Sequence, residues 1–280
     1  MPESLSLVPS PSSAGMIASS DGVTLRRVAS LEEYQDCVAI QEETWGYDFR
    51  ERVPAAILMV SQKVGGVCAA AFAPDDRMLG FVFGLTGPKD GTIAHWSDLL
   101  AVRTEARGAH VGERLKRLQR ELARAAGATV MYWTFDPLVA RNAHLNLVRL
   151  GARVAKYKVN MYGNKTGSPL HGALDTDRIV AMWDLTVNRT AAENPPPRAG
   201  GEFAVRPVEG DSIPAAPGFP DTPVIRIAVP LDLGSLPDAS RGAWRIATRQ
   251  AFEHYLNRGY SVAGFQRARD EQPPFYELAR

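Results

Sequence analysis

Cysteine and net charge are both scarce in this sequence. Only two cysteines, Cys37 and Cys68, occur among 280 residues, and neither belongs to a CxxC pair or to a Cys/His cluster. This spacing argues against a disulfide scaffold and against a structural zinc site, and it fits a reducing cytoplasm. Lys and Arg number 32 and Asp and Glu number 31, so the formal charge is only +1. We therefore expect no general attraction to nucleic acid or to an anionic membrane.

Long apolar runs are missing as well. No uncharged apolar stretch reaches the roughly 18 residues that a membrane-spanning helix needs. Residues 1–22 are rich in Ser and Pro and contain neither a basic segment nor a continuous apolar segment, so they are predicted to be a flexible tail and not a signal peptide. The hydrophobic share of 45% and the charged share of 22% exclude wholesale disorder and a fibrous protein. We expect a soluble, cytoplasmic protein without a membrane partner.

The order of apolar patterns predicts an α/β fold with a mixed sheet. A Ser-x-x-Glu capping box at Ser30 predicts a helix from Leu31 to about Trp45. The apolar stretches 64–73 and 78–86 are separated by turn residues, which predicts an antiparallel hairpin. The other elements predicted for this region are helices over 53–60, 111–124 and 139–150 and strands over 24–29, 93–102, 129–135, 153–161 and 178–187.

Composition divides the chain into the tail 1–22, an α/β domain over 23–188, a Pro/Gly-rich linker over 189–202 and a C-terminal β-α-β extension over 203–280. Within the extension we predict a strand over 224–229, a helix over 241–257 with Ser240 as its N-cap, and a strand over 260–267. The extension could complete the sheet of the first domain, cover its functional site or form the contact of a homodimer. The pattern alone leaves these three alternatives open.

The most informative segment joins the strand over 93–102 to a glycine-bearing turn and an amphipathic helix that begins at Val111. A helix N-terminus after such a turn exposes several main-chain N–H groups, and the helix dipole favours negative charge there. This order predicts a corner that binds phosphate. The glycines do not fit GxGxxG, and no Gly-Lys-Ser/Thr follows, so hydride transfer and nucleotide hydrolysis lose support.

This corner resembles the pyrophosphate loop of the GNAT superfamily of acyl-CoA-dependent N-acyltransferases, and the resemblance extends over about residues 24–163. The family's loop has the form Arg/Gln-x-x-Gly-x-Gly/Ala, and Arg107 and Gly112 fit its first and last positions. His110 stands where the family usually has Gly. The resemblance implies a GNAT-like fold and an acyl-CoA, such as acetyl-CoA or succinyl-CoA, as co-substrate without a metal. It implies that acyl-CoA is bound by Leu100, Ala101, Val102, Arg107, Gly108, Ala109, His110, Val111, Gly112 and Asn142.

A second departure from the family concerns the acid that protonates the leaving thiolate. The family often has a Tyr for this role, but the matching position here is Leu147, so Tyr157 or Tyr162 is a candidate replacement. The segment 133–138 is similar to a branch of the superfamily in which some proteins are thought to acylate amino acids, including with succinyl groups. An amino acid is therefore the expected acceptor.

Acyl transfer also needs a base, because an ammonium group has no lone pair with which to attack a thioester. The predicted strand over 93–102 offers His95, Ser97 and Asp98. His95 has the best-matched ordinary pKa, but we favour Asp98 because it is nearest to the reacting end. Strand alternation puts His95 and Ser97 on one face and Asp98 on the other, unless a bulge intervenes. Glu42 and Glu43, at the end of the first helix, are alternatives.

These observations predict an N-acyltransferase that moves an acetyl, succinyl or similar group from acyl-CoA to a small amine, with Asp98, His95 and Tyr157 as catalytic candidates. Two alternatives stay open: a protein N-acetyltransferase, and a non-catalytic acyl-CoA-binding regulatory module. A closed pocket with an Arg for a carboxylate would favour the small acceptor, whereas an open acidic groove would favour a protein.

Overall fold

The computed structural model describes residues 17–18, 21–163, 165–169, 172, 174–187, 196–208, 213–269 and 271–280. Most of the predicted tail, at 1–16 and 19–20, lies outside the described residues, and so does the segment 188–195 that contains the start of the predicted linker. The tail prediction also covered Ile17 and Ala18. These two residues instead form a short strand that pairs with the strand beginning at Thr24, and Ile17 lies opposite Leu25.

The first part of the chain is one sheet with helices on both faces. Its elements are β1 Ile17–Ala18, β2 Thr24–Arg27, α1 Leu31–Trp45, α2 Ala55–Lys63, β3 Val67–Phe72, β4 Met78–Lys89, β5 Thr92–Val102, α3 Val111–Ala125, β6 Val130–Phe135, α4 Ala140–Ala143, β7 Arg153–Lys158 and β8 Arg178–Asp184. The strand order is β1-β2-β3-β4-β5-β6-β8-β7. Strands β5 and β6 are parallel and the other neighbouring pairs of this sheet are antiparallel, so the predicted mixed α/β fold is confirmed.

Helix α1 begins where the capping box predicts it. The Ser30 hydroxyl accepts a hydrogen bond from the main-chain N–H of Glu33 at 3.2 Å, and the Glu33 carboxylate accepts one from Ala29 at 2.8 Å. Such a cap stabilises a helix by about 1 kcal/mol. The acidic first turn adds to this, because it lies at the positive end of the helix dipole.

Two apolar cores lie on opposite faces of this sheet. Helices α1 and α2 cover one face, where Ile40, Leu58 and Phe81 share a core. Helix α3 covers the other face with Leu115 and Leu118. Strand β3 lies between the two layers and is buried along its whole length, which explains its continuous apolar sequence.

The C-terminal extension forms a second sheet. Its elements are β9 Glu202–Val205, β10 Val224–Ala228, α5 Asp238–Leu256, β11 Ser261–Gln266 and β12 Phe275–Ala279, with strand order β11-β12-β10-β9. The β-α-β prediction therefore lacked β9 and β12. Ser240 is not the N-cap, because α5 begins two residues earlier, after Pro237. No helix among the described residues is both long and apolar enough to cross a membrane.

The extension packs against the end of the first sheet that contains β6, β7 and β8. Buried side chains of both parts belong to one apolar core, including Trp133 of the first sheet and Trp244 of α5. Polar contacts cross the same boundary: Arg245 donates to Asp136 at 2.5 Å, and the Tyr276 hydroxyl donates to the carbonyl of Pro137 at 2.9 Å. The extension thus does not complete the first sheet, but it is joined to it through a shared core.

Candidate active site

A cavity of about 620 Å³ opens between the carboxyl-terminal halves of β5 and β6. The two strands pair only from Ala94–Val130 to Trp96–Tyr132, and the cavity begins immediately beyond this last pair. Its wall is built from residues 97–100 of β5, 133–136 of β6, Lys116 of α3, the α4 region including Asn142 and Asn146, Trp45, Phe49 and Glu51 near α1, Tyr162, Arg178, and residues 231–234 and Arg241 of the extension.

A β-bulge shapes the wall at β5. Gly84 of β4 lies opposite Ser97 and Phe83 lies opposite Leu99, so Asp98 is the additional residue. A bulge re-aims neighbouring side chains and leaves the extra residue unpaired in the ladder. Both Ser97 and Asp98 therefore contribute to the cavity wall, which is the exception to strand alternation that the sequence left open.

Asp98 is accessible from the cavity, and protein nevertheless surrounds much of its carboxylate. Burial raises the pKa of Asp98, a hydrogen bond with the Trp96 side chain opposes the increase, and the nearby carboxylate of Glu51 adds to it. A carboxylate in this state holds a proton more readily than an ordinary Asp does. Asp98 is therefore positioned to exchange a proton with a molecule in the cavity.

Lys116 is a residue that the sequence analysis missed, because it counted as one of the exposed basic residues of α3. Its side chain instead points into the cavity wall and the residue is only 2% exposed. The ammonium nitrogen donates to the Ser97 hydroxyl at 2.6 Å and lies 4.1 Å from the centre of the Trp133 ring. Burial lowers the pKa of Lys116 well below its usual value. The sequence did contain a signal for this burial. Position 116 lies one helical turn after Gly112 and between Leu115 and Leu118, so a slightly wider buried face of α3 includes it.

His95 does not reach the cavity. It is fully buried, its Nδ1 lies 2.8 Å from the Thr86 hydroxyl, and its Nε2 is buried without a partner among the described residues. Burial lowers the pKa of His95 to about 3, so the ring is neutral near pH 7. The structure therefore gives His95 no contact with a molecule in the cavity.

Tyr157 is also absent from the cavity wall. Its hydroxyl donates to Asp177 at 2.7 Å, and its ring stacks on Phe252 of the extension at 4.9 Å. Burial and the Asp177 carboxylate raise the pKa of Tyr157. Tyr162, the other tyrosine considered, does line the cavity, with its hydroxyl 3.1 Å from that of Thr134.

The predicted phosphate corner at 107–112 is a tight turn into α3. Gly108 has φ 91° and His110 has φ 55°, so both residues adopt the left-handed region. This conformation explains why glycine would suit position 110, where His stands in this chain. Among the described residues, no acceptor contacts the main-chain N–H groups of 108–112, and the exposed Arg107 side chain makes no ion pair. The corner therefore presents donors without acceptors of their own.

The remaining residues that were predicted to bind acyl-CoA differ in their relation to the corner and the cavity. Leu100 lines the cavity, and a Cβ atom at Gly112 would meet the Leu100 side chain at 3.8 Å and that of Val102 at 3.7 Å. Ala101 points to the other face of the sheet and is buried in the core below α1. Asn142 lines the cavity from α4. Leu100 thus connects the corner with the cavity.

Several basic residues of α3 are engaged within the chain. Arg114 pairs with Asp21 at 2.9 Å, Arg117 with Glu113 at 2.9 Å and Arg124 with Glu121 at 3.2 Å. Their charge is therefore partly neutralised. The carboxylates of Glu42 and Glu43 are similarly paired, with Arg52 and Arg103.

Two arginines define the end of the cavity that the extension closes. Arg178 is 8% exposed, and it shares the Asp136 carboxylate with Arg245 at 3.5 and 2.5 Å. Arg241, one turn before Arg245 on α5, pairs with Asp238, while its Nε is buried without a partner among the described residues. The carboxylates of Asp136 and Asp232 line the same end of the cavity, so guanidinium and carboxylate groups occur there together.

Both cysteines are free thiols and buried, in agreement with the expectation that they form no disulfide scaffold. In the part of the chain that the structure describes, no group of three or more His, Cys, Asp or Glu side chains could hold a metal ion.

No family model matches the chain, and no curated protein matches it. Solved structures do match part of it. They include an N-acetyltransferase from Staphylococcus aureus Mu50, at 17% identity over 58% of this chain and 98% of that chain with a TM-score of 0.47. Aminoglycoside 6'-acetyltransferase type Ii matches at 16% identity over 59% of this chain and 98% of that chain, with a TM-score of 0.46.

The NatC complex bound to Gag peptide and CoA matches at 11% identity over 58% of this chain and 98% of that chain, with a TM-score of 0.45. Each of these three matches spans nearly the whole solved chain and leaves a large part of the present chain unmatched. At this level of similarity, activity and substrate have to be inferred from the residues of this chain.

Proposed function

We propose that this protein is an acyl-CoA-dependent N-acyltransferase of the GNAT type, which transfers an acyl group such as acetyl or succinyl to the amine of a small acceptor that carries a carboxylate, for example an amino acid. The observation that carries the proposal is the connection of two features along β5. Unpaired main-chain donors lie at 108–112 of the corner, and Leu100 links the corner to a cavity whose wall contains Asp98.

The corner provides the chemistry that a diphosphate requires. Main-chain N–H groups at a helix N-terminus donate to phosphate oxygens, and the helix dipole adds a favourable field. Arg107 adds a guanidinium group that is exposed at the turn itself. A molecule held here extends past Leu100 and brings its thioester to Ser97 and Asp98.

The cavity provides groups for acyl transfer. An amine that enters as ammonium loses a proton to the Asp98 carboxylate before it attacks, and the raised pKa of Asp98 suits this role. The unpaired main chain at the bulge supplies a donor for the oxyanion that develops on the thioester carbonyl. Holding amine and thioester side by side contributes further to the rate.

The acceptor class is proposed from the arginine end of the cavity. Arg178 and Arg241 line the wall, and a guanidinium group binds a carboxylate through two parallel hydrogen bonds. The extension closes this end with residues 231–234, which favours a small molecule over a protein segment. The pairing of Glu42 and Glu43 with arginines also removes the open acidic surface that a basic peptide would need.

The test is the release of free thiol from acetyl-CoA and succinyl-CoA with a panel of amino acids, each measured beside its own carboxamide. We expect release with amino acids and a much higher KM for the carboxamides, because these lack the carboxylate. Thiol release with peptides in preference to amino acids would contradict the acceptor class. Binding of acyl-CoA without thiol release for any amine would contradict the enzyme proposal and favour a regulatory binding module.

A further inference from the structure

A buried lysine, Lys116, lies on the cavity wall. Among the described residues no Asp or Glu oxygen lies within 4.0 Å of the Lys116 nitrogen, whose partners are the Ser97 hydroxyl and the face of the Trp133 ring. Removing an unpaired ammonium group from water is costly unless the group loses its proton. Such a residue at the wall of a cavity is a candidate for chemistry with the molecule that binds there.

The location of Lys116 relative to the bulge defines that chemistry. Ser97 is the residue before the bulged Asp98, and it lies directly beyond the last β5–β6 pair at Trp96. Lys116 therefore reaches the point where the two strands begin to separate, at Ser97 and against the face of the Trp133 ring. Under the proposed function, on which this inference rests, the thioester reacts at this point.

The proton balance of the reaction leaves a task that Asp98 does not perform. An acceptor ammonium must lose two protons to become an amide nitrogen: the first leaves before attack, and the second leaves as the C–N bond forms. The sulfur of the departing CoA must gain one proton as the C–S bond breaks. Nitrogen and sulfur are then bonded to the same carbon, where a direct transfer between them is strained, so an amine beside both atoms gives a better path.

We infer that Lys116 carries this second proton from the attacking nitrogen to the departing sulfur, with Ser97 as the residue that positions its amine. Neutral Lys116 accepts the proton as the C–N bond forms and donates it to the thiolate as the C–S bond breaks. The products are the amide and free CoA thiol, and Lys116 returns to its starting state. No oxidant, reductant or other reactant is consumed.

The neighbours of Lys116 are consistent with a neutral amine. His95, on β5, is neutral near pH 7, and Asp98 of the same strand lines the cavity wall. On α3 itself, Glu113 is engaged with arginines and Arg120 with Glu121. Burial lowers the pKa of Lys116, so its amine loses the proton more readily than that of an ordinary lysine.

The test compares Lys116→Met with wild type in the thiol-release assay, using acetyl-CoA and succinyl-CoA and an amino acid acceptor. Methionine keeps the length of the side chain and removes the amine. We expect kcat to fall about 10²- to 10⁴-fold with both donors, while the KM of the acyl-CoA changes less than about twofold because no binding contact is removed. In wild type, kcat should fall as the pH decreases through the pKa of Lys116. This limb should be absent from Lys116→Met and present in Asp98→Asn.

Two further variants separate this role from a structural one. Ser97→Ala keeps the amine but removes the group that holds it, so we expect a smaller loss of kcat, about tenfold, with the pH limb retained but displaced. Arg124→Met is the matched control, because Arg124 lies on the same helix with its charge paired at the surface, and its kcat should equal that of wild type. Thermal unfolding of each variant confirms that it is folded.

Several results would overturn the inference. An unchanged kcat in Lys116→Met would show that the proton takes another path, while wild-type activity would leave the proposed function intact. Loss with succinyl-CoA alone would make Lys116 a partner for the acyl carboxylate. Acylation of Lys116 itself, seen by peptide mass spectrometry, would also contradict a shuttle, since an amide cannot carry the proton. If wild type releases no thiol, both proposals fail together.

Discussion

The corner at 107–112 and the wall at Ser97, Asp98 and Lys116 are connected through β5 and α3, yet they use different groups. The corner is made of main-chain donors and one exposed arginine, all open to water. The wall is made of side chains whose protonation is altered by burial. Under the proposed function, the corner binds the acyl-CoA and the wall supplies the groups that take part in the reaction. Substitutions at the wall should therefore change kcat, and substitutions at the corner should change KM.

Apart from Lys116→Met, the largest effect is expected for Asp98→Asn, which keeps the shape of the side chain and removes the base. We expect kcat to fall about 100-fold or more. In wild type, kcat/KM should decrease as the pH falls and Asp98 becomes protonated, and this should occur above the pH at which an ordinary Asp titrates, because its pKa is raised. Thiol release measured from acidic to neutral pH checks both points. Asp75→Asn, in an exposed turn, is the control, and equal loss in both variants would contradict the assignment.

A smaller effect is expected at the arginine end of the cavity. Arg241→Met should raise the KM of the amino acid acceptor about 10- to 100-fold, because a charge-assisted hydrogen bond contributes about 1.5–3 kcal/mol. Steady-state kinetics at saturating acyl-CoA measure this change. The KM of the matching carboxamide should hardly move, and an equal increase for both acceptors would show that Arg241 does not contact the carboxylate.

Arg107→Ala tests the corner. We expect the KM of acyl-CoA to rise about tenfold, which corresponds to about 1.4 kcal/mol, with kcat nearly unchanged. The increase should become smaller at high salt, because this guanidinium group is exposed to the solvent. A change in kcat with no change in KM would break the division between corner and wall.

The smallest effect concerns the main chain of the corner. His110 has a left-handed conformation, which a β-branched residue adopts at a cost of about 1–2 kcal/mol and glycine adopts without strain. His110→Val should therefore lower the free energy of unfolding by about that amount, whereas His110→Gly should stay within about 1 kcal/mol of wild type. Urea unfolding of both variants measures the difference. Equal stability of the two would mean that this turn relaxes to another conformation.

The local elements and the corner could be predicted from the sequence because short-range patterns determine them. The capping box at Ser30 and the glycine-bearing turn before Val111 each depend on a few consecutive residues. The predicted bounds of the helices and strands agree with the structure to within a few residues. The mixed sheet followed from the order of these elements.

The cavity wall could not be predicted in the same way, because it depends on contacts between distant segments. The bulge at Asp98 arises from the register of β5 against β4, and the burial of Lys116 arises from the packing of α3 on β5. His95 had a suitable ordinary pKa, but tertiary burial changed it. The approach of Arg241 to the cavity required the docking of the extension, for which the sequence left three alternatives open.

The single apolar core shared by the two sheets has a consequence for any attempt to shorten the chain. Trp244 and Phe252 of α5 are fully buried in contact with the core of the first sheet. Deleting the extension would therefore expose a hydrophobic patch on the remaining domain. Such a fragment should aggregate, and it should lack the wall of the cavity that the extension provides. In the full chain, the first sheet and the extension should accordingly unfold together in one cooperative transition.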